Sequence, residues 1–430
     1  MEKRIFTAFI FAALFAGLHA QRVLTLQECY KGAFSTNALS NEKKAHSDIS
    51  KLRDRNLSAN HLPVLDASGS LVYNSSVPDL AGALGELPDP FASAIRPMPH
   101  EQYKITLDIN QVIYDGGSTR NAKALEKTGL GINEIQTESE LYKLRSQVNS
   151  YYFNIILLQK QREILEDYLH LVTARMASMS SALRSGLILS SDIDVLAAEK
   201  IKLEQQLKGN EIRMGSLREI MSNLTGFRID SAVLLVLPGH AAEPVPELSR
   251  PELRLFDMRK EQLTAATMLI DSRRMPKISA FASLGYGNPP GNNFFRDEFA
   301  PYYILGAGFK WNIIDWNKAR NEKQINVLQK GIIDGRKADL EDNLRRMLES
   351  KNAEIRSLEA IIESDAELIL LRRRITATAE SQYENGTITA AELLSEMSSE
   401  SQTILNHEIH KINLVLARIE YLNISGQEIE

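Results

Sequence analysis

The stretch Ile113-Tyr-Asp115-Gly-Gly-Ser-Thr-Arg120-Asn-Ala-Lys123 occurs a second time, as Ile313-Ile-Asp315-Trp-Asn-Lys-Ala-Arg320-Asn-Glu-Lys323. Two further pairs have the same offset of 200 residues: Ser185-Gly186-Leu-Ile188 matches Asn385-Gly386-Thr-Ile388, and Asn223-Leu-Thr-Gly226 matches Asn423-Ile-Ser-Gly426. Since three separate pairs share one offset, the segment between them was duplicated without net insertion. A period this long predicts two large structural units rather than a solenoid of short repeats.

Residues 1–20 have the features of a secretory signal peptide. Two cations, Lys3 and Arg4, precede an apolar run that ends in the small-residue cleavage site Leu18-His-Ala20. The run is shorter than the roughly 20 residues that a membrane-spanning helix needs, and an uncleaved anchor is the alternative. The single cysteine, Cys29, lies beyond the cleavage site, which excludes an N-terminal lipid anchor and an internal disulfide framework.

The bulk composition excludes several functional classes. The 430 residues carry a formal net charge of -5, which gives no indication of nucleic-acid binding. The mean hydropathy of -0.22 excludes a helical membrane protein but permits a β-barrel, whose strands are apolar only at alternate positions. Histidine, serine and cysteine show no catalytic arrangement, so we expect no enzyme activity, no cofactor and no metal site.

Period-two alternation predicts two pairs of strands. For example, Ile105, Leu107 and Ile109 alternate with Thr106 and Asp108. Runs of about 10 residues are long enough to cross a bilayer when tilted, and the alternative is a soluble hairpin with one buried face. Four strands cannot close a barrel, because the smallest barrels have about eight, whereas three chains would supply twelve. The predicted strands cover residues 63–75, 102–114, 276–287 and 302–314.

Long helices follow each strand pair. At about 1.5 Å per residue, a helix of about 66 residues is roughly 100 Å long, which calls for coiled-coil partners. A helical lead-in precedes each pair: residues 25–61 in the first half, and a helix starting at Arg250-Pro-Glu-Leu253 in the second. The helices are predicted at residues 118–185, 191–225, 318–385 and 391–425, in a first repeat of residues 21–226, a connector of 227–248 and a second repeat of 249–430.

The order and doubling of these elements resemble the TolC-like outer-membrane efflux proteins over nearly the whole mature chain. The likeness rests on the helix start at Arg250, the two Ile-x-Asp-x-x-x-x-Arg-Asn junctions, and the turns at residues 184–192 and 383–392. The resemblance implies a mainly α fold with a transmembrane β-barrel, built as a homotrimer. Two tandem repeats, each a strand pair plus a long α-helical hairpin, would form a 12-stranded barrel and a periplasmic α-barrel.

The same resemblance implies the function. The chain would be the outer-membrane exit duct of a tripartite efflux or type I secretion system, set in outer-membrane lipid, with its helical part in the periplasm. Its partners would be a periplasmic adaptor (membrane fusion protein) and an inner-membrane transporter that docks with it at the tip. The alternative is a periplasmic coiled-coil adaptor or structural protein without a pore.

The resemblance also points to particular residues. The turns place Gly186, Leu187, Gly386 and Thr387 on the adaptor-facing surface, and Asp115, Arg120, Asp315 and Arg320 form the strand–helix junctions. Asp192, Glu392 and Glu396 are candidates for a carboxylate gate, since converging carboxylates attract cations and protons. The alternative is that Asp192 and Glu392 only cap their helices. For His407 and His410 a solvated helix face is the favoured interpretation. It is also favoured for Arg372-Arg373-Arg374, where the alternative is a partner-docking or lumen patch.

Overall fold

The computed structural model describes residues 23–78, 98–184, 188–239, 247–293 and 296–428. The predicted signal peptide therefore lies outside the described residues. The described part of the chain is mainly helical, and its elements are β1 (Val23–Leu24), α1 (Leu26–Thr36), α2 (Ser40–Ala59), β2 (Val64–Tyr73), β3 (Glu101–Tyr114), α3 (Ser118–Arg184), α4 (Ser190–Thr225), β4 (Leu234–Leu235), α5 (Pro251–Ser272), β5 (Lys277–Asn288), β6 (Ala300–Lys310), α6 (Lys318–Glu384) and α7 (Ala390–Ser425).

The chain divides into two compact units that differ from the two halves of the sequence. Of the described residues, those within Met1–Glu42, Ile135–Arg254 and Ala338–Glu430 make up the first unit, and those within Lys43–Glu134 and Leu255–Lys337 make up the second. The first unit contains α4, α7 and the greater part of α3 and α6. The second contains the four long strands. Each unit therefore draws on both halves of the sequence.

In the second unit, β2, β3, β5 and β6 form one antiparallel sheet in that order. The strand predicted at 302–314 instead ends at Lys310. The reason is the length of its partner, because β5 begins at Lys277, directly opposite Lys310. Residues 311–314 consequently have no strand to pair with. By contrast, Tyr114 at the end of β3 still pairs with Ile278 of β5.

The helical lead-in predicted at residues 25–61 is two helices, α1 and α2, not one. Asn37 breaks it, with an extended backbone at φ -67° and ψ 135°. Its side-chain carbonyl accepts a hydrogen bond from the backbone N–H of Leu39 at 3.0 Å. Asparagine competes in this way with helical backbone hydrogen bonds, so the helix ends at this point.

The predicted connector contributes to the core of the first unit. Its β4 pairs in parallel with β1, which places Leu24 opposite Leu235. The buried Tyr152 of α3 donates its hydroxyl to the carbonyl oxygens of Leu24 and Val236, at 3.1 and 2.6 Å. Ile229, Leu235 and Tyr152 belong to one buried apolar cluster. Strand β1 and the connector are thus fixed against the middle of α3.

Candidate functional site

The two hairpin turns, about 200 residues apart in sequence, lie together in the first unit. Ile188 and Ile193 of the first turn, and Tyr383 and Ile388 of the second, pack on one apolar cluster. Burial, and secondarily the charge of Asp192, raises the pKa of Tyr383. The two turns therefore form one site at the ends of four helices.

The second turn ends α6 and begins α7 with complete capping. Gly386 adopts a left-handed backbone with φ +68°. The backbone N–H and the hydroxyl of Thr387 both donate to the carbonyl of Gln382 at 2.9 Å. Thr389 is the N-cap of α7 and exchanges hydrogen bonds with Glu392, three residues on. Hydrogen bonds from the Thr389 backbone and hydroxyl lower the pKa of Glu392.

The first turn is capped less completely. The N-cap of α4 is Leu189, which offers no side-chain acceptor. The hydroxyl residue Ser190 is already the first residue of the helix. Asp192 supplies the one reciprocal bond, since its Oδ2 accepts from the Leu189 backbone N–H at 3.1 Å. Gly186 and Leu187, predicted to face the adaptor, lie outside the described residues.

Glu396 of α7, the third gate candidate, is paired with a cation of the preceding helix, α6. The Arg372 Nη1 lies 3.3 Å from its Oε2, and Arg373 Nε lies 3.8 Å from Glu400 Oε1. Two members of the arginine run therefore join α6 to α7. Both side chains keep solvent exposure, 35% for Arg372 and 61% for Arg373, so the interpretation of the run as a solvated face is not contradicted.

A groove of about 530 Å³ lies beside the second turn. Its apolar wall includes Leu371, Ile375 and Ile388. Its charged rim includes Arg374 and Glu392. Leu371 and Ile375 are about 40% exposed, so the groove is an open surface with an apolar floor. Such a surface is typical of an interaction site.

The strand–helix junctions of the second unit use aspartate as a helix cap. Asp115 accepts hydrogen bonds from the backbone N–H groups of Gly117 and Thr119, at 2.8 and 2.6 Å. Burial acts to raise the pKa of Asp115, but the hydrogen bonds from Thr119 and Gly117 outweigh it and lower the pKa. Asp315 accepts from the backbone N–H of Ala319 at 3.1 Å in the same way.

The residues that follow these aspartates share an unusual backbone. Gly116 has φ +70°, and its counterpart Trp316 has φ +52°, a conformation that is costly for a bulky residue. The Trp316 side chain is 89% exposed. Arg120 and Arg320 of the junction motif are both exposed, and no ion pair joins either to another described residue.

The four-stranded sheet has two chemically different faces. The register places Ala67 beside Leu107, Leu107 beside Leu284, and Leu284 beside Tyr303, so one face carries an apolar row across all four strands. This face is open: Ile105 is 68% exposed and Leu305 70%.

The opposite face carries polar side chains that bond to one another. The hydroxyls of Ser68 and Thr106 are 2.8 Å apart. Asp108 accepts from Thr106 at 2.8 Å and from Ser283 at 2.6 Å. These bonds join β2, β3 and β5 on the polar face of the sheet.

A buried carboxylate, which the sequence did not lead us to predict, lies between α6 and α7. Asp365 of α6 is 8% exposed and accepts from His410 Nδ1 of α7 at 2.7 Å, while His407 Nδ1 lies 3.7 Å away. The two histidines therefore face Asp365, and the interpretation as a solvated face was wrong. Asp365 lies on the apolar helical period of α6, where a carboxylate signals a buried partner. In the part of the chain that the structure describes, no group of three or more histidine, cysteine, aspartate or glutamate side chains is placed to hold a metal ion.

Comparison with known proteins places this geometry in a known fold. No protein-family model and no curated protein matches the chain. Among solved structures, CusC, described for its folding and transmembrane channel formation, is similar with a TM-score of 0.68 and 13% identity, over 94% of this chain and 92% of that one. The outer-membrane protein VceC of Vibrio cholerae has a TM-score of 0.64 and 14% identity, over 93% and 96%. The Campylobacter jejuni outer-membrane channel CmeC has a TM-score of 0.62 and 14% identity, over 94% and 86%.

The chain therefore has the fold of an outer-membrane channel subunit. The resemblance to TolC-like outer-membrane efflux proteins is confirmed as a likeness of fold over almost the whole chain. Within the described ranges, every helix lacks an apolar stretch of the length that crossing a membrane requires.

Proposed function

We propose that this chain is the subunit of a homotrimeric exit duct in the outer membrane, a passive conduit without catalysis. It would serve a tripartite efflux or type I secretion system. The observation that carries the proposal is the four-stranded sheet with an open apolar face and an internally bonded polar face. An apolar face of this size is costly in water, whereas it suits contact with lipid.

The free edges of the sheet support a trimer. Among the described residues, strands β2 and β6 each pair on one side only, so each leaves a row of backbone hydrogen-bonding groups open. Such groups must be satisfied in a membrane, and a closed barrel satisfies them. Three copies of four strands, joined β6 to β2, make a barrel of twelve, with the polar face toward the lumen.

Side chains beyond the strands support the same placement. Trp311, Ile313 and Ile314 follow β6 and are more than half exposed, as is Trp316. Tryptophan is enriched where a membrane-embedded surface meets water, because the ring is amphipathic. The strained conformation of Trp316 persists in an exposed position, which is consistent with a role in membrane contact.

The helical turns are the proposed docking surface for a periplasmic adaptor, and through it for an inner-membrane transporter. The turns lie together at one end of the helices, and the groove beside Ile388 offers an apolar floor with a charged rim. Such a groove suits the apolar face of a partner helix. Gly186, Leu187, Gly386 and Thr387 are the proposed contacts.

Asp192 and Glu392 are the proposed carboxylates of a gate at this end. Each would recur three times around a threefold axis, and a ring of carboxylates favours cations. Glu396 is a weaker member, since Arg372 already neutralises it within the chain. Both remaining carboxylates also cap their helices, so charge and capping must be separated by experiment.

The exit-duct function is tested by measuring channel conductance and outer-membrane insertion of the wild-type protein and of two variants with adjacent substitutions. Purified full-length protein should form discrete conducting channels in planar bilayers and fractionate with the outer membrane. Leu305→Arg, on the apolar face, should impair insertion, because an arginine near the bilayer midplane costs about 2–4 kcal/mol. Ile304→Arg, one residue away on the polar face, is the control, and should insert normally and alter conductance.

A coiled-coil adaptor without a pore is the competing function. It predicts a water-soluble protein without conductance, in which Leu305→Arg is harmless. That result would overturn the exit-duct function. Equal effects of Leu305→Arg and Ile304→Arg would overturn the assignment of the apolar face to lipid and the polar face to the lumen.

A further inference from the structure

A cavity of about 400 Å³ lies in the first unit, beside the middle of α3 and α6 and the end of α7. It is bordered by α3, α6, α7 and the residue before α5. Tyr142, Arg145 and Asn149 line one side, and Met347, Arg250 and Ile424 another. It is large enough for a small organic molecule.

The cations of the cavity are only partly neutralised. Arg250 pairs with Glu252, its Nε lying 2.9 Å from Oε2, and Lys351 Nζ lies 2.7 Å from both Glu354 and Glu420. Neither Arg145 nor Lys143 has a carboxylate within ion-pair distance among the described residues. Lys351 contacts two carboxylates, so the four cations and their three carboxylate partners leave one net positive charge at the cavity.

Arg145 is held in place by aromatic rings rather than by an anion. Its guanidinium carbon lies 4.6 Å from the centre of the Tyr142 ring and 5.5 Å from that of Tyr30. Arg250 lies on the same Tyr142 ring at 4.7 Å. Burial raises the pKa of Tyr30 to about 12, and burial raises the pKa of Tyr142 as well. Both phenols are therefore neutral at physiological pH and supply no negative charge.

Two hydrogen-bond donors in the cavity wall have no partner among the described residues. They are Arg145 Nε and Asn149 Nδ2, both buried. Asn149 is 1% exposed, and its Oδ1 accepts from the Tyr30 hydroxyl, which fixes the direction of the amide. A buried donor without an acceptor costs about 1–3 kcal/mol, so a ligand that supplies acceptor oxygens would recover this energy.

We propose that this cavity binds a small organic anion, a carboxylate or a phosphate monoester. Its acidic group would accept hydrogen bonds from Arg145 Nε and Asn149 Nδ2, since arginine commonly donates to carboxylates and phosphates. Its apolar part would lie against Met347 and Ile424. The proposal goes beyond the exit-duct function and does not rest on it, because the cavity lies within one unit of one chain.

The test is binding of phenyl phosphate to the purified full-length protein in detergent, measured by isothermal titration calorimetry. We expect saturable binding that weakens about tenfold or more in Arg145→Gln, since a charge-assisted pair is lost. Ser146→Trp keeps every charge and obstructs the cavity mouth, so it should weaken binding equally. Arg336→Gln removes an exposed cation of the other unit and should leave binding unchanged.

Further probes separate the parts of the proposal. Benzyl alcohol, which lacks the charge, should not bind, and inorganic phosphate should bind more weakly than phenyl phosphate. Equal binding of the two phosphates would contradict the proposed contact of an apolar group with Met347 and Ile424. No saturable binding to the wild-type protein, or equal loss in Arg145→Gln and Arg336→Gln, would overturn the site. Circular dichroism of Arg145→Gln checks its fold, and Ser146→Trp remains decisive if that variant unfolds.

Discussion

The hydroxyl of Thr389 accepts a hydrogen bond from the backbone N–H of Glu392 at 3.2 Å, and the Glu392 carboxylate accepts in return from the Thr389 backbone N–H at 2.8 Å. This reciprocal pair satisfies two donors that the start of α7 would otherwise leave open. The same carboxylate is a proposed gate residue. Replacing it by alanine would therefore disturb the cap and the charge together.

Substitution by glutamine separates the two roles of Glu392. Glu392→Gln keeps an acceptor oxygen for Thr389 but removes the charge, whereas Glu392→Ala removes both. If the carboxylate gates the duct, Glu392→Gln combined with Asp192→Asn should raise single-channel conductance or relieve cation block. Amide hydrogen exchange in the first turn of α7 should accelerate only in Glu392→Ala. Unchanged conductance in the double variant would leave capping as the sole role.

The cap also predicts a pH dependence with a definite sign. The hydrogen bonds from Thr389 hold the pKa of Glu392 below its usual value of about 4.3. Its contribution to stability is therefore fully present above that usual value and is lost as the pH falls through the lowered pKa. Protection factors at the start of α7, which are exchange rates corrected for the intrinsic pH dependence of exchange, should therefore fall in acid in the wild-type protein. Glu392→Gln should show a flatter profile between about pH 5 and pH 3, and equal slopes would contradict the assignment.

The incomplete cap of the first turn predicts a stabilising substitution. Leu189 is the N-cap of α4, is 71% exposed and supplies no acceptor. Leu189→Thr would complete the reciprocal pair with Asp192 and should stabilise the turn by about 1 kcal/mol. Thermal unfolding and local hydrogen exchange measure the change. Leu189→Ala, which removes the exposed side chain without adding an acceptor, is the control and should give no gain.

The buried Asp365 predicts a cost for losing its histidine partner. His410→Ala removes the 2.7 Å hydrogen bond to a carboxylate that is only 8% exposed. We expect destabilisation by about 1.5–3 kcal/mol, measured by chemical unfolding, because a charged acceptor is left buried. His170→Ala, at an exposed position of α3, is the control. Adding Asp365→Asn should recover part of the loss, and no recovery would mean that His410 contributes only packing.

Two glycines with nearly equal backbone angles predict different costs for alanine. Gly116 and Gly386 have φ of +70° and +68°. A Cβ at Gly116 would lie 2.5 Å from the Met275 Cβ, whereas a Cβ at Gly386 would meet nothing within 4 Å. Gly386→Ala should therefore cost about 1–2 kcal/mol, the conformational part alone. Gly116→Ala should cost more, and equal unfolding free energies would show that Met275 moves aside.

Periodicity and helix-capping residues explain what could be predicted from the sequence. Alternation of apolar and polar residues placed a strand at residues 63–75, where β2 runs from Val64 to Tyr73. Absence of proline and a helical period placed a helix at 118–185, where α3 runs from Ser118 to Arg184. The acceptor at Thr389 and the glycine at position 426 mark helix ends by their own chemistry. These signals lie within a few residues of the structure they specify.

Errors arose where a partner distant in sequence decides the outcome. The end of β6 at Lys310 depends on where β5 begins, and the orientation of His410 depends on Asp365 in another helix. Pairing of β4 with β1 joins residues about 210 apart. The local period marks Asp365 as buried, but the identity of its partner and the pairing of the strands are not encoded in the neighbouring residues.

The sequence by itself determined the element types, the two chemically distinct faces of each strand and the doubling at an offset of 200 residues, because each follows from local spacing. Only the tertiary structure decided that two turns far apart in sequence meet on one apolar cluster. It alone brought Arg145, Asn149 and Met347 around one cavity. The physical reason is that packing depends on the long-range burial of side chains, whereas periodicity depends on the backbone geometry of consecutive residues.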